Sequence, residues 1–305
     1  MSGLVIAAMM SSCSDEFLNQ EPSTAIPSDQ ALNTDADVLA AVNGMYSALQ
    51  ATDLYGRTKF VLGDLLADNS FVSVENAGRY ITFEGYTHSR TSSEIAGLWT
   101  NAYVAIGRAN EIINSSQAKV NDQATVDHYK GEAYAVRALM YFELVRHFAR
   151  PFTDNPNGPG VPIVLERAIT AKPGRNTVTE VYNQINSDLD KAYTMLSKYY
   201  GTGRFSKFAA RGLAAKVALY QGNDATALQY AEEVINQGGF SLIPRQNVVS
   251  YWGSAATQTS TKNETLFEVT FTEIDNNGSD EIGDMYSQQG GYGDILTTED
   301  VYNLY

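Results

Sequence analysis

The chain alternates segments of helical periodicity with segments that have none. In TDADVLAAVNGMYSALQ, residues 34–50, the apolar positions recur at helical intervals and share one face. These positions are Val38, Val42, Met45 and Leu49. Thr34 and Asp35 precede the stripe and are candidate N-caps. The pattern predicts an amphipathic helix that begins near residue 35.

Three further segments show the same spacing. Residues 92–116 and residues 131–149 each carry an apolar stripe at intervals of three and four. Trp99 lies on the first of these stripes, so we expect its ring in the core. A third segment begins with Thr177 and Glu180, whose spacing is that of a capping box.

The last helical pair predicts a repeat architecture. Two helical segments are joined at GND, with Asp224 as the expected N-cap of the second helix and Gly238 as its stop. Small residues in the unit Phe208–Ser241 follow the tetratricopeptide spacing, although Ala231 stands where that consensus has an aromatic residue. Stacked pairs shield each other's apolar faces in an α-solenoid. We therefore predict an all-α fold, a tetratricopeptide-like helical repeat scaffold with irregular loops.

Two regions lack helical periodicity. Between Leu54 and Arg90, turn residues mix with aromatic ones, which predicts a long loop with one short strand near residues 80–83. NETLFEVTF, residues 263–271, alternates in the manner of a strand. The final residues, TTEDVYNLY, predict the start of a helix capped by Thr297 or Thr298. We therefore expect the natural protein to continue further.

The first twelve residues, MSGLVIAAMMSS, contain an apolar run from Leu4 to Met10. A membrane-spanning helix needs about 20 apolar residues, so the run fits the hydrophobic region of a signal peptide better. A basic n-region is missing, which is expected if the true start lies upstream. Small residues before a lone cysteine resemble the lipobox of bacterial lipoproteins, and this resemblance implies a lipid on Cys13. The alternative is a free thiol in a polar tail.

The net charge of -14 belongs to the two ends of the chain. Seven acidic residues and no basic one precede Arg57, and ten acidic residues and no basic one follow Lys262. The region between them has a slight basic excess. Because phosphate recognition needs clustered Lys and Arg, the composition argues against a nucleic-acid partner.

Motifs for catalysis or metal binding are missing from the sequence. The single cysteine cannot form an intrachain disulfide, and the three histidines are not spaced as zinc ligands. DNNGSDE, residues 275–281, has oxygen ligands for calcium but not the EF-hand spacing. We therefore predict no catalytic residue, no metal ligand, no cofactor and no enzymatic activity.

Four stretches, taken in order, resemble the SusD/RagB-like lipoproteins of Bacteroidetes. They are the lipobox with its acidic SDE, WTNAYVAIGRANEIIN, GEAYAVRALMYFELVRHFARPF, and RFSKFAARGLAAKVALYQGNDATALQYAEEVINQGGF with NETLFEVTF after it. The resemblance implies a surface-exposed lipoprotein of the outer membrane that binds nutrients as the partner of a TonB-dependent, SusC-like transporter. It implies a binding protein rather than an enzyme.

With the resemblance, the chain divides into four predicted segments. Residues 1–12 are a lipoprotein signal peptide, and residues 13–33 are an extended acidic arm that follows the lipidated Cys13. Residues 34–240 form the helical repeat domain. Residues 241–305 begin a loop-rich, ligand-binding second subdomain, which is expected to be truncated because members of the family are longer.

Candidate ligand-binding residues come from composition, because no residue motif of the family can be transferred. Sugar recognition needs exposed aromatic rings for stacking and amide or guanidinium groups for the hydroxyls. Two irregular regions offer this mixture. The first has Asn76, Arg79, Tyr80 and Phe83, and the second has Tyr251, Trp252, Tyr286 and Tyr292. Local packing of a long loop is the alternative for each ring.

Three functions remain open on this evidence. The first is the capture of oligosaccharide at the cell surface. The second is a tetratricopeptide scaffold that binds peptides or proteins. The third is a glycoside hydrolase, which would need two carboxylates in a cleft.

Overall fold

The computed structural model describes residues 32–115, 119–166, 172–253, 261–289 and 291–304. Cys13 and the predicted signal and arm segments lie outside the described residues. The helices are α1 (Asp35–Leu49), α2 (Thr58–Leu65), α3 (Ile81–Glu84), α4 (Ser93–Asn114), α5 (Gln123–Phe148), α6 (Val178–Met195), α7 (Lys207–Tyr220), α8 (Asp224–Gln237), α9 (Val248–Trp252), α10 (Ile282–Tyr286) and α11 (Glu299–Tyr302). The strands are β1 (Ser70–Val72) and β2 (Ile295–Thr297).

The long helices stack in chain order. Helix α5 packs on α4 and α6, α7 packs on α6 and α8, and α1 covers α4 and α5. Each helix therefore buries its apolar face mainly against its neighbours in sequence, as in a solenoid of helical pairs. This arrangement confirms the predicted all-α, tetratricopeptide-like scaffold.

Local capping signals set several helix starts. Thr34 caps α1, as expected, and forms a capping box with Asp37; at α6, Thr177 and Glu180 form the expected capping box. The cap of α8 is Asn223, whose side chain accepts the N–H of Thr226, so the expectation that Asp224 is the cap was wrong by one residue. Because Asn223 is the cap, Asp224 lies in the first turn, where its negative charge interacts favourably with the helix dipole.

Helix α5 is the centre of the main core. It is buried nearly all around from Val126 to Val145, because α1, α4 and α6 enclose it. It carries charged residues at buried positions as well as apolar ones, including Glu132, Arg137 and Glu143. Buried charges are tolerated where partners satisfy them.

A second, smaller core lies beside the helical array. It is built on α2, β1 and α10, with Val61, Leu65, Phe83, Met285 and Ile295 among its buried side chains. Strand β1 pairs antiparallel with β2, with Phe71 opposite Leu296. The small core thus joins residues from both sides of the predicted boundary at residue 240, which stays a prediction.

The region between Leu54 and Arg90 is more ordered than expected. It contains α2 and β1, and residues 81–84 form a helical turn, so both the long loop and the strand near residues 80–83 were wrong. Tyr80 precedes this turn with a φ of 59°, a left-handed conformation that ends any strand. The aromatic residues here are spaced to fill the small core, which hides helical periodicity.

The predicted strand at residues 263–271 was also wrong. Its described backbone is irregular, and Glu268 donates its N–H to the carbonyl of Thr202 at 2.9 Å. The ring of Phe267 stacks on Phe205 with centroids 4.1 Å apart. The alternating apolar residues therefore dock onto helices and not onto a neighbouring strand.

Candidate functional site

A groove of about 660 Å³ opens where α2, the start of α4 and the end of α5 meet. We call it the α2/α5 groove. Its rim also includes the segment after α3 and the loop that carries Asn155 and Pro159. Small-molecule sites typically occupy about 300–1,000 Å³ and combine an apolar lining with a few polar groups. The volume suits one or a few sugar rings.

The floor of the α2/α5 groove is apolar. It is lined by Leu62, Leu66, Phe83, Ile95, Leu98 and Phe148. The Phe148 ring is held edge-on against Trp99 with centroids 4.9 Å apart, so its orientation is fixed by packing. Such a floor can cover the apolar face of a sugar ring.

His88 places a polar group over this floor. Its imidazole stacks on Phe83 with centroids 4.8 Å apart and an interplanar angle of 15°. The Nδ1 atom of His88 is buried and has no hydrogen-bond partner within the described part of the chain. Because this atom is covered by the protein, a ligand in the groove would meet the exposed part of the ring instead. The partly exposed imidazole of His88 lines the groove and can contact a ligand there.

Three guanidinium groups border the groove. Arg150 is paired with Asp154 at 2.5 Å, and Arg175 donates to the backbone carbonyls of Phe148 and Gly160. Arg90 is exposed and makes no hydrogen bond or ion pair among the described residues. Guanidinium groups present several donors in a fixed plane, so they can read hydroxyls or anionic groups.

A buried ionic cluster lies near the end of α5, next to His147. The carboxylate of Glu143 lies 3.5 Å from Nζ of Lys59 and also pairs with Arg146. Burial would raise the pKa of Glu143, but the charges of Lys59 and Arg146 outweigh burial and hold the pKa below its ordinary value. The cluster anchors the end of α5 without facing the groove as a free charge.

His147 connects this cluster to the groove. Its Nδ1 lies 2.8 Å from the carbonyl oxygen of Glu143, and its ring lines the groove. Burial lowers the pKa of His147, so the ring is neutral near pH 7. With Nδ1 donating to the carbonyl, Nε2 is an acceptor.

The four residues of the first predicted ligand set lie at different places in the structure. Asn76 closes a turn by accepting the N–H groups of Gly78 and Arg79. Tyr80 and Phe83 are buried at 4% and 1% exposure, and Phe83 alone among these predicted residues lines the α2/α5 groove. Arg79 lies elsewhere, with its guanidinium 3.6 Å from the ring centroid of Tyr292.

The second predicted set also separates. Tyr286 donates to Asp64 at 2.5 Å in the small core, where burial and this carboxylate raise the pKa of the phenol. Tyr292 stacks under Arg79 as described. Tyr251 is buried and bonded to Thr265, whereas Trp252 is 58% exposed and lines a second groove of about 660 Å³ beside α7. Ligand contact by any of the eight residues stays a prediction.

Sequence reasoning missed the polar residues of the α2/α5 groove. His88 and His147 are far apart in the chain, and the sequence showed only that they do not form a zinc motif. The signal available was HSR, residues 88–90, which follows an aromatic stretch. Its convergence with the end of α5 depends on the fold.

Two negative findings apply to the described residues alone. They contain no group of three or more His, Cys, Asp or Glu side chains close enough to hold a metal ion. They also contain no helix that is both long and apolar enough to cross a membrane.

Comparison with protein families gives one match that spans most of the chain. Residues 16–219 match a SusD-like family described as "Starch-binding associating with outer membrane". A curated relative, SusD-like protein P2 of Formosa agariphila, is 28% identical over 277 residues, which cover 88% of this chain and 52% of the relative. The chain spans about half the length of the curated relatives it matches.

Solved structures agree on the fold. A putative sugar binding protein from Bacteroides vulgatus superposes with a TM-score of 0.81 at 31% identity, over 90% of this chain and 62% of that one. A more distant protein, crystallised with a xylogluco-oligosaccharide, superposes with a TM-score of 0.70 at 20% identity, over 88% of this chain and 55% of that one. The second similarity supports the fold alone.

Proposed function

The chain belongs to the SusD-like family, described as starch-binding and associated with the outer membrane, and on that premise we propose that it captures an oligosaccharide at the bacterial surface. The observation that carries the proposal is the α2/α5 groove. Its apolar floor, with His88 and Arg90 on the rim, combines the ring-stacking surface and the hydrogen-bonding groups that sugar recognition needs.

Binding fits this groove better than hydrolysis. Most glycoside hydrolases use two carboxyl groups that flank the scissile bond. The described residues that line the groove instead supply imidazole, guanidinium and amide groups. These groups hold a sugar but do not form the acid and nucleophile or base pair of a glycosidase.

The remaining parts of the proposal concern location and partners. We propose a lipid on Cys13 that anchors the chain to the outer membrane, with the acidic SDE that follows it as a surface-export signal. We further propose that captured ligand passes to a TonB-dependent, SusC-like transporter. Co-expression with a SusC-like transporter tests the second point, since the two chains should then co-purify.

Isothermal titration calorimetry with a panel of oligosaccharides and peptides tests the binding function. We expect at least one oligosaccharide to bind, and His88→Ala to weaken that binding by about tenfold or more, since it removes a stacked ring from the groove. Trp252→Ala is the matched aromatic control in the second groove. Binding of peptides alone would support the scaffold alternative, and released reducing ends would support a hydrolase.

The two variants also locate the site. If Trp252→Ala removes sugar binding and His88→Ala does not, the second groove is the site and the α2/α5 assignment is wrong. Circular dichroism at 222 nm should show unchanged helix content in both variants.

A further inference from the structure

The α2/α5 groove has a charge that contrasts with the rest of the chain. Its lining includes Arg90, Arg150 and Arg175, and none of its described lining residues is Asp or Glu. The whole chain, by contrast, has a net charge of -14. A cationic groove in an acidic protein is a local feature that composition does not reveal.

Local partners neutralise only part of this charge. Asp154 compensates Arg150 at 2.5 Å. Arg175 is held by backbone carbonyls, among them that of Phe148 at the end of α5, so its formal charge remains. Arg90 has no partner in the described part of the chain. Two guanidinium charges at the groove are therefore uncompensated by a carboxylate.

The overall acidity does not cancel this charge. At physiological ionic strength the Debye length is about 8 Å, so acidic residues farther than this from the groove contribute little to its potential. The side chains that line the groove among the described residues include three guanidinium groups and no carboxylate.

We propose that the α2/α5 groove binds an acidic oligosaccharide, with a carboxylate or sulfate group placed at Arg90 and Arg175 and a sugar ring over the Phe148 floor. The inference rests on the proposed function and names its substrate class. Uronate and sulfated sugars share the required chemistry: an apolar ring face and a fixed anionic oxygen group. Guanidinium recognises both groups through paired hydrogen bonds.

Calorimetry with pairs of ligands that differ only in the anionic group tests the proposal on the 305-residue chain. The first pair is a galacturonic acid tetrasaccharide and its methyl ester, and the second is a sulfated galactan tetrasaccharide and its desulfated form. We expect at least one charged member to bind about tenfold or more tightly than its neutral counterpart, with the difference shrinking at high salt. Whichever pair shows the effect identifies the anionic group.

Variants assign the effect to the groove. Arg90→Ala should weaken binding of the charged ligand by about fivefold, the upper end for an exposed ion pair, and Arg90→Glu should weaken it further. Arg90→Lys should retain most of the affinity. Arg245→Ala, which removes an exposed arginine outside the groove, is the control and should leave the affinity unchanged.

The outcomes separate this inference from the proposed function. If neutral and charged members bind equally, or if Arg90→Ala has no more effect than Arg245→Ala, the groove is not specific for acidic sugars and the inference is overturned. Sugar capture would then still stand wherever a neutral oligosaccharide binds and His88→Ala weakens it. If no oligosaccharide of either class binds, both proposals fail.

Discussion

Removing the charge of Asp188 should strongly destabilise the helical array. Asp188 on α6 is fully buried and forms a two-point ion pair with Arg137 on α5, at 2.7 and 2.8 Å. Arg137 is 3% exposed and also donates to Asn110 at 2.7 Å, and Gln184 donates to Asp188 at 2.9 Å. The pair therefore links three helices in a water-excluded core.

The expected cost follows from the burial of the charge that remains. Asp188→Asn keeps the shape of the side chain but leaves the guanidinium of Arg137 buried without a counter-charge. Removing one partner of a buried pair typically costs about 3–5 kcal/mol, and the amide oxygen of Asn retains part of the hydrogen bonding. We therefore expect a loss of about 3 kcal/mol in the free energy of unfolding.

Urea unfolding followed by circular dichroism at 222 nm measures this loss. Asp190→Asn is the matched control, because Asp190 lies two residues along the same helix and is exposed; it should change stability by less than about 0.5 kcal/mol. The double variant Arg137→Met with Asp188→Leu should be more stable than Asp188→Asn, since no buried charge remains. If Asp188→Asn behaves like Asp190→Asn, the ion pair does not contribute as the structure indicates.

Three further predictions address packing, pH and location. Gly131→Ala should destabilise the protein by about 1 kcal/mol in urea unfolding, because its new Cβ would lie 3.0 Å from a side chain of α6. Gly107→Ala, with open space around the new Cβ, should stabilise the protein by about 0.5–1 kcal/mol. Equal effects of the two substitutions would contradict this packing. Burial lowers the folded-state pKa of His147, so the unfolded chain binds its proton more readily, and stability should be lost as pH falls below the ordinary value of 6.5; His147→Gln should reduce this loss. The depressed pKa of Glu143 should add a further loss of stability below about pH 4.5. Urea midpoints across a pH series measure both losses. Cys13→Ala should move the protein from the membrane fraction to the soluble fraction, and retention at the wild-type level would refute the lipid anchor.

Local signals in the sequence were sufficient for much of the scaffold. The capping boxes at Thr34 and Thr177 act within four residues, so their geometry is encoded where they stand. Apolar stripes at helical spacing identified α1, α4, α5 and α6 for the same reason. Local prediction failed where residues serve a distant surface: Phe267 alternates like a strand residue but stacks on Phe205, and residues 54–90 fill a core completed by residues near the chain end.

The sequence by itself determined the order of the helices, the family and the unequal distribution of charge, because these depend on spacing and composition. Only the tertiary structure decided which side chains meet. It places His88, Arg90 and Arg175 around one groove although Arg175 is far from the other two in sequence, and it buries Arg137 against Asp188 although both are charged. Residues this far apart in sequence meet only through the packing of the helices, and they come together only when the whole array has formed.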